Sequence, residues 1–133
     1  MNQLRVSSLS GDAFAVECRG HTVVVDQPLA GGIDNGLTPV ELFVSSLPAC
    51  VAFYGRRLLA RHGLRDTLTV DAKWSMADNP ARVSSVEVTV RTEPMPSETQ
   101  DKFRKVIERC TVHNSLRGCI QTSIRIETGL LDG

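Results

Sequence analysis

Hydrophobic and polar positions alternate in three short segments of the first third of the chain. Residues 3–9, 13–18 and 21–26 end at turn residues, and the third contains the β-branched run Val23-Val24-Val25. Residues 31–36 are rich in Gly and Asn, which is typical of a loop. This part of the sequence predicts three strands followed by a glycine-rich loop.

The clearest helix signal begins at Thr38. Thr38-Pro39-Val40-Glu41 combines an N-capping Thr, Pro at the first helical position and a Glu that completes a capping box. Gly63 is typical of the residue just after a helix C-terminus. We therefore predict a helix from about Pro39 to His62. Its first half is apolar on nearly all sides, as expected of a helix that lies within a core.

The last part of the chain predicts two more strands, a second helix and a final strand. Residues 67–76 and 86–90 alternate between apolar and polar positions and predict a hairpin. A second capping box is predicted at residues 97–100. The apolar face of the helix that follows consists of Phe103, Val106, Ile107 and Cys110. A turn over residues 113–117 precedes a predicted last strand with Ile120, Ile124 and Ile126. The order β-β-β-α-β-β-α-β predicts a single α+β domain over residues 1–133.

Length and charge exclude several classes of protein. The 133 residues fit one domain, and 15 basic residues balance 15 acidic ones, which argues against nucleic acid or an anionic membrane surface as a partner. The N-terminus lacks an apolar signal segment. The apolar stretch over residues 42–54 is too short to span a bilayer. We therefore predict a cytoplasmic protein with no nucleic-acid or membrane partner. Because the central helix is apolar on nearly all sides of its first half, we also predict a homodimer that covers its apolar face.

The candidate chemistry lies in the cysteines. No two of them form a Cys-x-x-Cys pair, which excludes a thioredoxin motif and a zinc ribbon. Cys50 lies on the predicted central helix, among apolar and aromatic helical neighbours, and Cys110 lies on the inward face of the second helix. Either could be a small buried apolar residue. The pair is more informative than either cysteine alone, because two thiols on the inward faces of two core helices can approach each other. Cys18 and Cys119, at strand ends, are expected to be structural or incidental.

Two further features each have two interpretations. Glu41 has a structural role in the capping box, and it could also hold an arginine against a thiolate. Cys110 and His113 have the spacing of half a metal site, but two ligands are too few, so we predict no metal.

Two blocks of the sequence together resemble the OsmC/Ohr family. Residues 31–42, which read Gly-Gly-Ile-Asp-Asn-Gly-Leu-Thr-Pro-Val-Glu-Leu, and Leu47-Pro48-Ala49-Cys50 are similar to the family's glycine-rich loop, Thr/Ser-Pro-x-Glu-Leu motif and first cysteine segment. The segment Cys110-Thr111-Val112-His113-Asn114-Ser115-Leu116 resembles the second cysteine segment. With the order of strands and helices, the resemblance covers essentially the whole chain.

The resemblance implies the OsmC-like fold, in which sheets wrap around two central helices of an intertwined homodimer. It implies that Cys50 is the peroxidatic cysteine and Cys110 the resolving one. An alkyl or fatty-acid hydroperoxide would oxidise Cys50 to a sulfenic acid, Cys110 would convert this to a disulfide, and a dithiol such as a lipoyl group would reduce it. No bound cofactor is implied. The expected substrate pocket is lined by Phe43, Leu47, Phe53 and Tyr54.

The sequence also departs from the family pattern. Glu41 is one residue closer to Cys50 than the carboxylate of the main Ohr and OsmC branches, and Thr111 replaces a Pro that usually follows the second cysteine. Arg19 is our candidate for the arginine that activates the thiolate, with Arg5 as second choice. These departures leave an alternative open: an OsmC-like dimer that binds a small apolar ligand and has weak or no peroxidase activity.

Overall fold

The computed structural model describes residues 2–118 and 120–129 and has an α+β fold. The elements in chain order are β1 (Arg5–Ser8), β2 (Phe14–Cys18), β3 (His21–Val25), α1 (Pro39–Arg61), β4 (Leu68–Ala77), β5 (Arg82–Thr92), α2 (Ser97–Ile107) and α3 (Thr111–Arg117). The predicted fold class and the predicted elements from β1 to α2 are confirmed. None of the helices in these residues is long and apolar enough to cross a membrane.

The strands form two separate antiparallel sheets. β1, β2 and β3 make a three-stranded sheet in sequence order, and β4 and β5 make a hairpin. Arg19 and Gly20 form the tight connection between β2 and β3, and both have positive φ (51° and 79°), as the preferred two-residue hairpin turns require. Among the described residues, β1, β2 and β3 make their extensive contacts with one another, whereas α1 contacts β4, β5, α2 and α3.

Asp26 organises the glycine-rich loop that leads into α1. This carboxylate is buried, 1% exposed, and accepts hydrogen bonds from the backbone N–H groups of Gln27 (2.7 Å), Asn35 (3.1 Å) and Ile33 (3.4 Å). Because these donors stabilise the charged form, Asn35 most of all, they lower the pKa of Asp26 below its ordinary value. A Cβ on Gly36 would clash with the Val24 carbonyl oxygen, so this close return of the loop to β3 needs glycine.

The long helix α1 carries the core. Its capping box is confirmed: the Thr38 hydroxyl accepts the Glu41 N–H (3.1 Å), and the Glu41 carboxylate accepts the Thr38 N–H (2.8 Å). The helix continues through Pro48. The side chains buried along it are Val44, Leu47, Val51, Leu58 and Leu59. They pack against the valines of β5 and against α2, where Phe103 joins Leu58 and Leu59 in one cluster.

Four predictions about the last third of the chain are wrong, and three of them concern the second helix and the turn after it. The predicted capping box at residues 97–100 does not form, because Pro96, which has no acceptor side chain, occupies the N-cap and Ser97 is already helical. The second helix ends at Ile107 rather than reaching Cys110, and the predicted turn over residues 113–117 belongs to α3.

The predicted last strand is also absent from residues 120–129. Ile124 and Ile126 are 93% and 84% exposed in this chain. An isolated strand gains no stability without a neighbour that accepts its backbone hydrogen bonds. No strand of the described part of this chain pairs with the segment.

Candidate functional site

The structure brings Cys50 and Cys110 together in one apolar cluster. Cys50 lies midway along α1 and is half-buried, and Cys110, directly before α3, is fully buried (0% exposed). Both pack with Leu47 and Val51, and both are free thiols. Cys110 is held at the α2–α3 junction, where its N–H donates to the Ile107 carbonyl (3.0 Å) and its carbonyl accepts the Asn114 N–H (3.0 Å). The two cysteines therefore lie in one cluster, although Cys110 directly precedes α3 and does not lie on the second helix as predicted.

The environment of Cys110 favours the neutral thiol. Burial raises the pKa of Cys110, a hydrogen bond with the Cys50 side chain raises it further, and a negative charge on Cys50 acts in the same direction. Backbone hydrogen bonds from His113 and Val112 offset part of this rise in pKa. At neutral pH Cys110 is therefore protonated.

A polar contact joins the two cysteine segments at the edge of the cluster. Tyr54 lies one helical turn after Cys50, and its hydroxyl is 2.9 Å from the Thr111 hydroxyl oxygen, in the residue that follows Cys110. Tyr54 also packs edge-on against Phe53, with ring centres 5.5 Å apart. The sequence did not predict the Tyr54–Thr111 contact, since its partners are 57 positions apart.

A cavity of about 630 Å³ lies beside this cluster, between α1, β5 and α3. Of the four residues predicted to line a substrate pocket, Phe43 and Leu47 line this cavity, and Phe53 and Tyr54 do not. Phe53 is 53% exposed on another side of α1, beneath the Arg57 guanidinium (5.4 Å from the ring centre). The other lining residues are Val51, Val83, Ser84, Ser85, Val86, Val88, Val90, Ile107, His113, Leu116 and Arg117. The sequence signal that could have predicted the β5 side of the cavity is the alternation of valines along this strand.

The lining is apolar along most of the cavity, and its ionisable side chains are basic. His113 and Arg117 lie one turn apart on α3, and neither Cys50 nor Cys110 is among the lining residues. The cavity therefore suits an apolar ligand, and within one chain it adjoins the sulfur atoms without including them.

Glu41 and Arg19, the other predicted site residues, lie apart from the sulfurs within one chain. The Glu41 carboxylate is engaged in the capping box at the start of α1. Arg19 lies in the β2–β3 turn and, with Arg5 and Cys18, lines a separate polar surface pocket of about 570 Å³. Of the predicted site residues, one chain thus brings together the two cysteines, Leu47 and Tyr54.

Among the described residues, Cys110 and His113 are not part of a set of three candidate metal ligands. Within residues 2–118 and 120–129, no three His, Cys, Asp or Glu side chains are grouped so that they could hold a metal ion. Cys110 also lies within the apolar cluster, so a metal ion bound to its sulfur would need additional protein ligands in place of water.

Similar folds occur in several solved structures. A Psychrobacter arcticus protein described as an osmotic stress induced and detoxification response protein shares 20% identity and a TM-score of 0.77, over 86% of this chain and 88% of the other. The OsmC-like protein of Mycoplasma pneumoniae shares 16% identity and a TM-score of 0.72, over 89% and 88%. An organic hydroperoxide resistance protein of Elizabethkingia anophelis shares 21% identity and a TM-score of 0.65, over 89% and 90%.

At these identities the likeness shows a shared fold. No curated protein matches the chain significantly. The model of one family, described as OsmC-like protein, matches residues 32–125, which include most of the glycine-rich loop and both cysteine segments. The chain belongs to the OsmC-like protein family.

Proposed function

We propose that this protein is a thiol peroxidase that reduces organic hydroperoxides, alkyl or fatty-acid, through a Cys50 sulfenic acid and a Cys50–Cys110 disulfide. The observation that carries the proposal is the packing of Cys50 and Cys110 in one apolar cluster. Membership of the OsmC-like family and the fold shared with an organic hydroperoxide resistance protein support it.

The chemistry assigns different roles to the two sulfurs. The Cys50 thiolate attacks the terminal peroxide oxygen, the O–O bond breaks, and the alkoxide leaves as an alcohol after taking up a proton. Cys50 becomes a sulfenic acid, two electrons having passed to the peroxide. The Cys110 sulfur then attacks the Cys50 sulfur, an S–S bond forms, and the hydroxyl group leaves as water with the Cys110 proton. A dithiol such as a lipoyl group restores both thiols by exchange.

The protonated state of Cys110 fits the resolving role. A thiol with a raised pKa is a poor nucleophile toward peroxide, because the thiolate is the reactive form. Cys50 is the half-buried member of the pair. Prompt capture of its sulfenic acid prevents irreversible overoxidation.

The proposal includes a homodimer. Phe43 and Phe53 on α1 are each about half exposed in the single chain, as are Trp74 and Met76 on the β4–β5 hairpin. A second copy that covers these side chains would complete the site. Arg19 and Cys50 lie apart within one chain. The second copy would therefore also allow Arg19 of one copy to reach Cys50 of the other and activate its thiolate.

A thiol count on defined variants tests the proposal. In a Cys18→Ala/Cys119→Ala background, one equivalent of cumene hydroperoxide should remove both remaining thiols, measured by intact mass. Cys110→Ala in the same background should instead add one oxygen, trapped on Cys50 as a sulfenic acid. Cys50→Ala should consume no peroxide. Persistence of both thiols at stoichiometric peroxide would exclude the cycle.

One observation favours a second candidate function. The apolar cavity beside the cluster has neither sulfur in its lining, as expected of a dimer that binds a small apolar ligand with weak or no peroxidase activity. Native mass spectrometry of the purified dimer tests this: a retained apolar ligand together with unreacted thiols would support binding over catalysis.

A further inference from the structure

The hydrogen bond between Tyr54 and Thr111 joins the two segments that carry the cysteines. Its oxygen atoms are 2.9 Å apart, Tyr54 lies one turn after Cys50 on α1, and Thr111 is the first residue of α3, directly after Cys110. Among the residues that the structure describes, it is the one side-chain hydrogen bond between α1 and α3. It therefore lies where it can determine how closely Cys110 approaches Cys50.

The backbone around Cys110 gives this contact its importance. Cys110 has extended dihedral angles (φ −56°, ψ 124°) and no side-chain cap, so it lies between two helices and not within one. The helix that it precedes has seven residues, and none of these is fully buried. A helix this short is not stable by itself and depends on its tertiary contacts. A hydrogen bond at its first residue therefore restrains the segment that includes Cys110.

We infer that Tyr54 and Thr111 are positioning residues that hold the Cys110 sulfur against Cys50 and thereby set the rate of sulfenic acid capture. The inference rests on the proposed peroxidase cycle. Capture of the Cys50 sulfenic acid by the Cys110 thiol, with release of water, competes with a second peroxide molecule that would oxidise Cys50 to the sulfinic acid. Loss of the restraint lowers the effective concentration of Cys110 at Cys50 and favours overoxidation.

Paired variants test the inference in the Cys18→Ala/Cys119→Ala background. Tyr54→Phe and Thr111→Val each remove one hydroxyl group, whereas Thr111→Ser keeps the hydroxyl and serves as the matched control. Rapid-quench mass spectrometry gives the rate of disulfide formation separately from the rate of sulfenic acid formation. We expect each hydroxyl deletion to slow disulfide formation by about three- to tenfold, the effect of losing one net hydrogen bond.

Two further readouts distinguish positioning from a general loss of stability. The sulfinic acid fraction at excess peroxide should rise in Tyr54→Phe and Thr111→Val and return to the wild-type value in Thr111→Ser. The double variant should be no slower than either single variant, because both remove the same bond. Capture at the wild-type rate in Tyr54→Phe, or a Thr111→Ser variant as slow as Thr111→Val, would overturn the inference.

A peroxide-free measurement separates this inference from the proposed function. In a glutathione redox buffer, the fraction of Cys50–Cys110 disulfide at equilibrium reports the effective concentration of the two thiols without any hydroperoxide. We expect Tyr54→Phe and Thr111→Val to lower it and Thr111→Ser to preserve it. If peroxide fails to oxidise the wild type, the peroxidase proposal fails while this measurement still tests the restraint. Equal values in all variants would refute the restraint.

Discussion

Gly55 permits the close contact between α1 and α2, and Gly55→Ala tests how tightly the two helices pack. An ideal Cβ at this position would lie 2.8 Å from Cζ and 3.2 Å from Cε2 of Phe103. Phe103 is 7% exposed and packs against Leu58 and Leu59, so its ring has little space into which to move. Overpacking of this kind costs about 1–3 kcal/mol.

Helix propensity acts in the opposite direction. Replacing a glycine within a helix by alanine stabilises the folded state by about 1 kcal/mol. The overpacking cost should exceed this gain, so we expect Gly55→Ala to lower the free energy of unfolding by about 1 kcal/mol, within a range of roughly 0–2 kcal/mol. Urea denaturation at one fixed protein concentration measures it, because dimerisation would make apparent stability depend on concentration.

A smaller residue at position 103 should reverse the sign. In a Phe103→Leu background the ring atoms that meet the new Cβ are absent, so Gly55→Ala should stabilise the protein by up to about 1 kcal/mol. If Gly55→Ala destabilises both backgrounds equally, Phe103 is not the obstacle. If it stabilises the wild type, α1 and α2 are further apart than the structure indicates.

Three other predictions concern the site and its support. Because burial raises the pKa of Cys110, iodoacetamide at mildly alkaline pH should alkylate the exposed Cys18 well before Cys110, and peptide mapping that showed comparable rates would contradict the assigned burial. Because the folded-state pKa of Asp26 lies below its ordinary value of 3.8, its stabilising contribution is present above that value and is lost as the pH falls through the folded-state pKa. Acid unfolding should therefore be less steep in Asp26→Asn, and an identical pH profile would exclude this role. Thr38→Ala should lower the free energy of unfolding by about 1 kcal/mol through loss of the cap, and Thr38→Ser should preserve stability in the same urea assay.

The parts of the fold that depend on local sequence were predictable. Thr38 and Glu41 are close enough in the chain to cap α1 by themselves, and Gly63 (φ 67°) has the left-handed conformation expected just after a helix end. The alternation along β4 and β5 likewise predicted a hairpin because each strand provides the partner of the other. In these elements the signal and the contacts that stabilise the structure lie within the same few residues.

The features that the sequence could not supply depend on distant contacts. Ile120, Ile124 and Ile126 have the composition of a strand, yet strand formation needs a neighbour, which periodicity does not reveal. The position of Cys110 was also missed, because its apolar spacing from Phe103 continues a helical pattern after the backbone has left the helix at Ile107. The assignment of Arg19 as the arginine that activates the Cys50 thiolate remains a prediction. It too depends on distant contacts, because Arg19 belongs to a sheet with few contacts to α1.

The separation of the β1–β2–β3 sheet from the rest of the chain has a consequence for local unfolding. Its own buried apolar residues are small, chiefly Ala13, Ala15 and Val25, whereas α1 shares two larger clusters with the hairpin, α2 and α3. The sheet should therefore open as an independent cooperative unit at lower free energy than α1. Amide hydrogen exchange would show this as weak protection of β2 beside strong protection of α1, and an added stabilising contact from a second copy would increase protection of β2 as the protein concentration rises.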